Sequence, residues 1–169
     1  MKYMPPGIRT SWDPANAPFS KTKTAADYEV GRRTLRKQYE VVGAMNRAGV
    51  RIIAGTDVLN PFVFPGFSLH DELALLVEAG MTPAQALRAA TGGAAEFMGR
   101  NDVGMVKRGN LADLVLLDAS PLENIRNTTR IAAVVANGRL YDRAALDGLL
   151  ADAEMLAVER HVPRQEVKR

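Results

Sequence analysis

A stretch of helical periodicity that stops at a glycine and gives way to a short apolar segment most constrains the fold of this chain. Residues 24–48 place large apolar side chains three, four or seven positions apart, which predicts one apolar stripe along a helix. These side chains are Tyr28, Leu35, Tyr39, Val42 and Met45. Gly49 follows where helices commonly end in a left-handed residue, and residues 50–55 are mostly apolar and β-branched, as in a buried strand. Helix, glycine turn and buried strand together predict the second half of an α/β unit.

Two further helices are predicted downstream of this unit. The first starts at Ser68, which can cap a helix, and ends at Gly80. The second starts at residues 82–85, Thr-Pro-Ala-Gln, where the threonine and glutamine can form a capping box and the proline suits the first helical position. It is predicted to run to about Met98, with a weak point at the two glycines of residues 92–93.

The last third of the chain changes to strand periodicity. Residues 112–118 and 131–136 predict strands, and the Asn-Gly pair at residues 137–138 predicts a hairpin turn into a third, short strand. A closing helix is predicted for residues 143–160. By contrast, residues 1–23 are rich in Pro, Ser, Thr and Asn and predict a long irregular segment.

Composition excludes several classes of function. The chain has 169 residues and no cysteine, which excludes disulfides, thiolate metal ligands and cysteine nucleophiles. The formal net charge is +3, but the basic residues do not alternate with aromatic ones as in a nucleic-acid stacking surface. No apolar run approaches the roughly 18 residues of a membrane span. We therefore expect neither a nucleic-acid nor a membrane partner, and a cytoplasmic location.

A carboxylate directly follows the predicted buried strand. Asp57 ends the sequence Ala-Gly-Thr-Asp, beyond the carboxyl end of the strand, where α/β sheets place their active sites. There an aspartate can bind a divalent metal or accept a proton from a metal-bound water. Alternatively, its side-chain oxygen caps the following turn. Spacing alone leaves both interpretations open.

Thr56 and His70 are the further candidates, as residues that contact substrate or support the metal shell. The alternative for His70 is a surface or half-buried imidazole bonded to a neighbouring carboxylate such as Asp71 or Glu72, which is the commoner situation for a lone histidine. His161, in the basic tail, has no evident partner. Asp113, at the start of a predicted strand, is interpreted as a structural carboxylate that ties a turn to the strand edge.

Several segments together resemble the C-terminal end of the amidohydrolase superfamily, near its imidazolonepropionase-like and prolidase-like branches. The resemblance covers about residues 49–141, with the motifs in the order and spacing of the family. The matching motifs are Ala48-Gly49-Val50, Ala54-Gly55-Thr56-Asp57, Ser68-Leu69-His70-Asp71-Glu72-Leu73, Glu78-Ala79-Gly80-Met81-Thr82-Pro83, Ala86-Leu87-Arg88-Ala89-Ala90-Thr91, Gly109-Asn110-Leu111-Ala112-Asp113-Leu114-Val115 and the turn from Val135 to Gly138.

This resemblance implies an α/β fold: the end of a (β/α)₈ barrel in residues 1–100, strands of a small composite β-sandwich in 101–142, and a closing helix with a basic tail in 143–169. It also implies that Asp57 is the aspartate after the last barrel strand, which binds the catalytic metal and shuttles the proton of the attacking water. The cofactor implied is a divalent metal, zinc above all. The implied substrates are small molecules with amide, urea or cyclic amide C–N bonds.

The chain departs from the family in its metal ligands. Besides the aspartate, the metal ligands of the family are a His-x-His pair, a carboxylated lysine or glutamate and two further histidines. This chain has two histidines in total and no His-x-His. The first hypothesis is therefore a fragment of an amidohydrolase, inactive until the missing barrel strands are supplied in cis or in trans. The second is a non-catalytic remnant that acts as an interaction or oligomerisation module through self-association.

Overall fold

A computed structural model describes residues 2–16, 21–58 and 60–159 of the chain. Along the described residues the helices come first, a small antiparallel sheet follows, and a last helix comes after the sheet. The elements are α1 (Pro6–Trp12), α2 (Ala25–Arg47), α3 (Ser68–Glu78), α4 (Pro83–Ala90), α5 (Gly92–Phe97), β1 (Leu114–Leu117), a 3₁₀ helix (Ile125–Thr129), β2 (Ile131–Ala136), β3 (Arg139–Tyr141) and α6 (Arg143–Glu159).

Two of the predicted helix ends, the start of α4 and the end of α2, are confirmed by their local contacts. At the start of α4 the Thr82 N–H donates to Gln85 Oε1 at 2.8 Å, and the Gln85 N–H donates to Thr82 Oγ1 at 3.2 Å. This capping box satisfies two N–H groups that a helix start leaves open. After α2, Gly49 adopts a φ of 78°, the left-handed conformation that ends many helices. The predicted weak point is also confirmed, because Thr91 leaves the helical conformation between α4 and α5.

The sheet is a three-stranded antiparallel meander in the order β1-β2-β3. Asn137 and Gly138, with φ values of 50° and 74°, form the tight turn between β2 and β3. Asp113 Oδ1 accepts a hydrogen bond from the Asn137 N–H at 2.6 Å. The interpretation of Asp113 as a structural carboxylate is thus confirmed, and α6 packs against β2 and β3.

The core lies between α3, α4 and the 3₁₀ helix. Its buried residues are Leu73, Ala74, Leu76, Met81, Ala86, Ala89 and Ile125. Ile52 and Ala54 pack against this core from the segment that the sequence predicts as a strand. Residues 50–57 themselves are not in a strand, because no strand within the described residues pairs with them. The prediction of a strand at 50–55 is wrong for the chain taken alone, although Ile52 and Ala54 contact the core two positions apart, as alternate residues of a strand do.

The N-terminal segment is more ordered than its composition predicts. Instead of an irregular stretch, residues 6–12 form α1, and Trp12 at its end is buried. The basic tail, which includes His161, lies outside the described residues. The division into parts at residues 100 and 142 stays a prediction. Among the described helices, none combines the length and apolar character that crossing a membrane requires.

Much apolar surface stays exposed. Large apolar side chains such as Phe97, Met98 and Val106 are 77%, 66% and 89% exposed, in excess of what a packed core leaves at the surface. Helix α2 illustrates the excess, since Gly43 is its one buried residue. The exposed apolar side chains of α2 are Tyr28, Val30, Leu35, Val41 and Met45. The chain therefore presents apolar faces that its own elements do not cover.

Candidate functional site

The segment that leads to Asp57 is held against helices α3 and α4 by two backbone N–H groups. The Ala54 N–H donates to the carbonyl oxygen of Ala89 in α4 at 3.1 Å. The Gly55 N–H donates to the side chain of Glu72 in α3, whose Oε1 lies 3.1 Å away. These contacts place the segment beside the core without a neighbouring strand.

Asp57 occupies an exposed turn with an uncommon backbone conformation. Its φ is 51°, in the left-handed region that Asp and Asn tolerate better than most residues. Asn60 stabilises the turn, because its Nδ2 donates to the Asp57 carbonyl oxygen at 3.1 Å and also to Asp57 Oδ2. The carboxylate therefore braces its own turn, as the structural interpretation predicts, while the side chain stays accessible to solvent. The hydrogen bond from Asn60 uses Oδ2, so Oδ1 of the same carboxylate can still bind a metal or accept a proton.

His70 lies in the first turn of α3 and is half-buried. Its Nδ1 is 3.0 Å from the hydroxyl of Thr128, which is buried in the 3₁₀ helix. The Thr128 hydroxyl donates its single proton to the Ile125 carbonyl oxygen at 2.9 Å, so Nδ1 carries the proton and donates. Burial lowers the pKa of His70, while the Asp71 carboxylate acts in the opposite direction. The neutral imidazole therefore presents the lone pair of Nε2.

Of the two interpretations of His70, the one in which it bonds a neighbouring carboxylate is wrong. The other, contact with substrate or support of the metal shell, stays a prediction. The imidazole bonds Thr128, whereas the Glu72 carboxylate bonds the Gly55 N–H. Thr128 is 58 positions away in sequence, so no local pattern could have indicated it. Thr56 lies half-buried beside Asp57. Within the described residues no hydrogen bond joins His70 to Asp57.

An aromatic cluster packs around the loop that follows Asp57. The Trp12 ring lies 6.2 Å from the Phe62 ring and 5.5 Å from the Phe64 ring, measured between centroids. The Ser68 Oγ accepts from the Phe64 N–H at 2.7 Å and so ties the loop to the start of α3. Ser68 thus bonds the loop rather than capping its own helix, contrary to the prediction. Trp12 supports this loop, and Glu72, considered from the sequence as a partner of His70, bonds the Gly55 N–H instead.

The described residues do not fit a metal ion by themselves. In ranges 2–16, 21–58 and 60–159, no group of three or more His, Cys, Asp or Glu side chains is arranged to hold one. A hydrolytic zinc site takes about three protein ligands. Asp57 is one carboxylate, and its contacts are with Asn60 rather than with other candidate ligands.

Comparison with known proteins decides the family. The model of the amidohydrolase family matches residues 9–141, most of the chain. The chain belongs to the amidohydrolase family. It is 49% identical over 73 residues to an imidazolonepropionase of Cutibacterium acnes, covering 43% of this chain and 18% of that protein. It is also 33% identical over 103 residues to adenine deaminase 2 of Agrobacterium fabrum, covering 59% of this chain and 17% of that protein.

Solved amidohydrolase structures match over more of the chain. A bottromycin amidohydrolase superimposes with a TM-score of 0.78 and 29% identity, covering 92% of this chain and 34% of that one. A prolidase-type protein of Bifidobacterium longum gives a TM-score of 0.63 and 30% identity, covering 90% and 38%. The chain thus spans about a fifth of the curated relatives and about a third of these structures. Amidohydrolases generally use divalent metals and hydrolyse carbon–nitrogen bonds, and residues 9–141 belong to a sequence of this family.

Proposed function

We propose that this chain is the C-terminal part of a metal-dependent amidohydrolase that hydrolyses carbon–nitrogen bonds of non-peptide or cyclic amides. It is inactive alone and becomes active once the rest of the barrel is supplied, in cis or in trans. The observation that carries the proposal is the Asp57 turn. An exposed carboxylate ends a segment that packs on the core with strand-like alternation, inside the region that matches the family.

Asp57 is the residue to which we assign the chemistry. Its side chain faces solvent from a turn that Asn60 braces, so the carboxylate is held in place and can accept a proton from a water molecule. Thr56 and His70 are assigned to substrate contact or to support of the site. In the complete enzyme we expect a divalent ion, zinc by preference, bound by Asp57 together with ligands that this chain does not supply.

A chimera tests the assignment. We would place residues 9–141 of this chain in the imidazolonepropionase of Cutibacterium acnes, in exchange for the equivalent region, and assay the activity of that enzyme. We expect a measurable rate, and we expect Asp57→Asn to reduce it at least about a hundredfold through loss of a proton acceptor.

Asp57→Asn suits this test because asparagine also tolerates the left-handed backbone of the turn, which preserves the fold. Asp71→Asn, at an exposed position on α3, is the matched control and should retain the rate. A folded chimera in which Asp57→Asn keeps full activity would contradict the assignment.

A second candidate is a non-catalytic module that self-associates or binds a partner. The exposed apolar face of α2 favours it, because that face is typical of a helix that packs against something else. For this alternative we expect a folded chimera without activity, and a chain whose self-association tolerates Asp57→Asn. The chimera therefore separates the two candidates.

A further inference from the structure

The position of Asp57 depends on few contacts. No strand in the described part of the chain pairs with residues 50–57, so the segment lacks the ladder that normally fixes a residue at the end of a strand. Two backbone hydrogen bonds join the part of the segment nearest Asp57 to helices α4 and α3, one from Ala54 to Ala89 and one from Gly55 to Glu72. The second is nearer to Asp57 and is made by a side chain, so it can be removed by substitution.

Glu72 is well placed to fix the segment. It lies on α3, next to the core residue Leu73 and two positions after the half-buried His70. The packing of these neighbours holds the backbone of Glu72 in place. Glu72 is half-buried as a residue, and its Oε1 accepts the Gly55 N–H at 3.1 Å. A hydrogen bond from a backbone N–H to a carboxylate is stronger than one between neutral groups.

On the C-terminal side of Asp57, Asn60 fixes the backbone of the turn. Asn60 donates from Nδ2 to the Asp57 carbonyl oxygen at 3.1 Å, and the Asn60 N–H donates to the same oxygen at 3.3 Å. Gly55 is two residues before Asp57, and Asn60 is three residues after it. Asp57 thus sits between one anchor on α3 and one within its own turn, and the Gly55–Glu72 bond is the connection to α3 that lies nearest before it.

We propose that Glu72 is a positioning residue for Asp57: its carboxylate holds the Gly55 N–H and thereby sets where the Asp57 carboxylate stands relative to α3. This inference rests on the proposed function of Asp57. Reacting groups must be held closely, and a displacement of about 1 Å can cost about a hundredfold in rate. Because Thr56 alone separates Gly55 from Asp57, release of Gly55 moves the start of the turn.

Amide exchange and ¹⁵N relaxation of the chain itself test the contact without any activity. In Glu72→Ala we expect the Gly55 amide to exchange about tenfold faster or more, since a hydrogen bond to a charged group is lost, and the order parameter of Asp57 to fall. Glu72→Gln keeps a carbonyl oxygen at the same place and should restore part of the protection. Glu78→Ala, at an exposed position on the same helix, is the control and should change neither value.

Two results would overturn the proposal. One is a Gly55 amide and an Asp57 order parameter that are unchanged in Glu72→Ala. The other is an equal loss of protection at Leu76 and throughout α3, which would make Glu72 a general stabiliser of the helix. In an active chimera we expect Glu72→Ala to lower kcat about a hundredfold with little change in KM, and Glu72→Gln to recover most of it. If Asp57→Asn abolishes activity and Glu72→Ala does not, the proposed function stands and the positioning role fails.

Discussion

At the scale of single residues, His70 shows how a distant contact sets the chemistry of a side chain. The imidazole is half-buried, and its Nδ1 donates to a threonine hydroxyl whose own proton is already used. Desolvation lowers the pKa of His70 below its ordinary value of about 6.5, despite the opposing charge of Asp71. The charged imidazole is therefore less favourable in the folded chain than in the unfolded one.

The stability of the chain should consequently fall as the pH drops through about 6.5. In that window the unfolded state binds more protons than the folded state, so the free energy of unfolding rises with pH. We expect His70→Gln to remove this slope between pH 8 and 5.5 in urea unfolding. The carboxylates with lowered pKa values, such as Asp102 beside Arg100, titrate below this window.

His161→Gln serves as the control, because it removes the other of the two histidines of the chain. We expect it to leave the pH dependence of unfolding near that of the parent. A slope that survives His70→Gln and disappears in His161→Gln would show that burial of His70 is not its cause.

At the scale of elements, the docking of α2 depends on one glycine. Gly43 is buried, and a Cβ there would collide with the backbone carbonyl of Ala79 at the end of α3. Gly31, in the same helix, has open space where its Cβ would be. The two positions share helix propensity and differ in packing.

Gly43→Ala and Gly31→Ala should therefore shift stability in opposite directions. Alanine favours a helix interior over glycine by about 1 kcal/mol, so Gly31→Ala should stabilise the chain by up to that amount. At Gly43 the collision outweighs this gain, and we expect a loss of about 1–3 kcal/mol as α2 separates from α3. Denaturant unfolding of both variants measures the difference, and stabilisation by Gly43→Ala would refute the close α2–α3 contact.

At the scale of the whole molecule, two features point to the same conclusion: apolar side chains stay exposed, and the described residues supply too few ligands for a metal ion. The apolar face of α2 is exposed, and so are Phe97, Met98 and Val106, although a folded monomer normally covers side chains of this size. Asp57 is the one ligand that we assign to a metal. Both features have the same cause in the proposed function, since the strands and helices of the remaining barrel would cover the surface and bring the other ligands.

The purified chain should accordingly contain less than one equivalent of divalent metal and should self-associate as its concentration rises. Elemental analysis and mass measurement by light scattering on one sample test both expectations. Asp57→Asn should alter neither quantity, because a single carboxylate holds a metal weakly. A monomer with one tightly bound metal, lost in Asp57→Asn, would contradict our proposal that the metal site needs ligands from outside this chain.

Local signals in the sequence were sufficient for most helices and for the sheet. The Thr82 capping box, the left-handed Gly49 and the Asn137 turn each depend on residues a few positions apart, so their patterns predict them well. Helix α1 was missed because its composition resembles a loop. It forms where Trp12 packs on Phe62 and Phe64, which are some fifty residues away.

The sequence by itself determined the family motif, the candidate Asp57, the structural role of Asp113, the ends of α2 and the start of α4. Tertiary structure alone decided that Glu72 bonds Gly55, that His70 bonds Thr128, and that residues 50–57 stand beside the core without a partner strand. The physical reason is the range of the interactions. Caps and tight turns are made by neighbours in the chain, whereas a strand or a half-buried imidazole takes its partner from wherever the fold brings one.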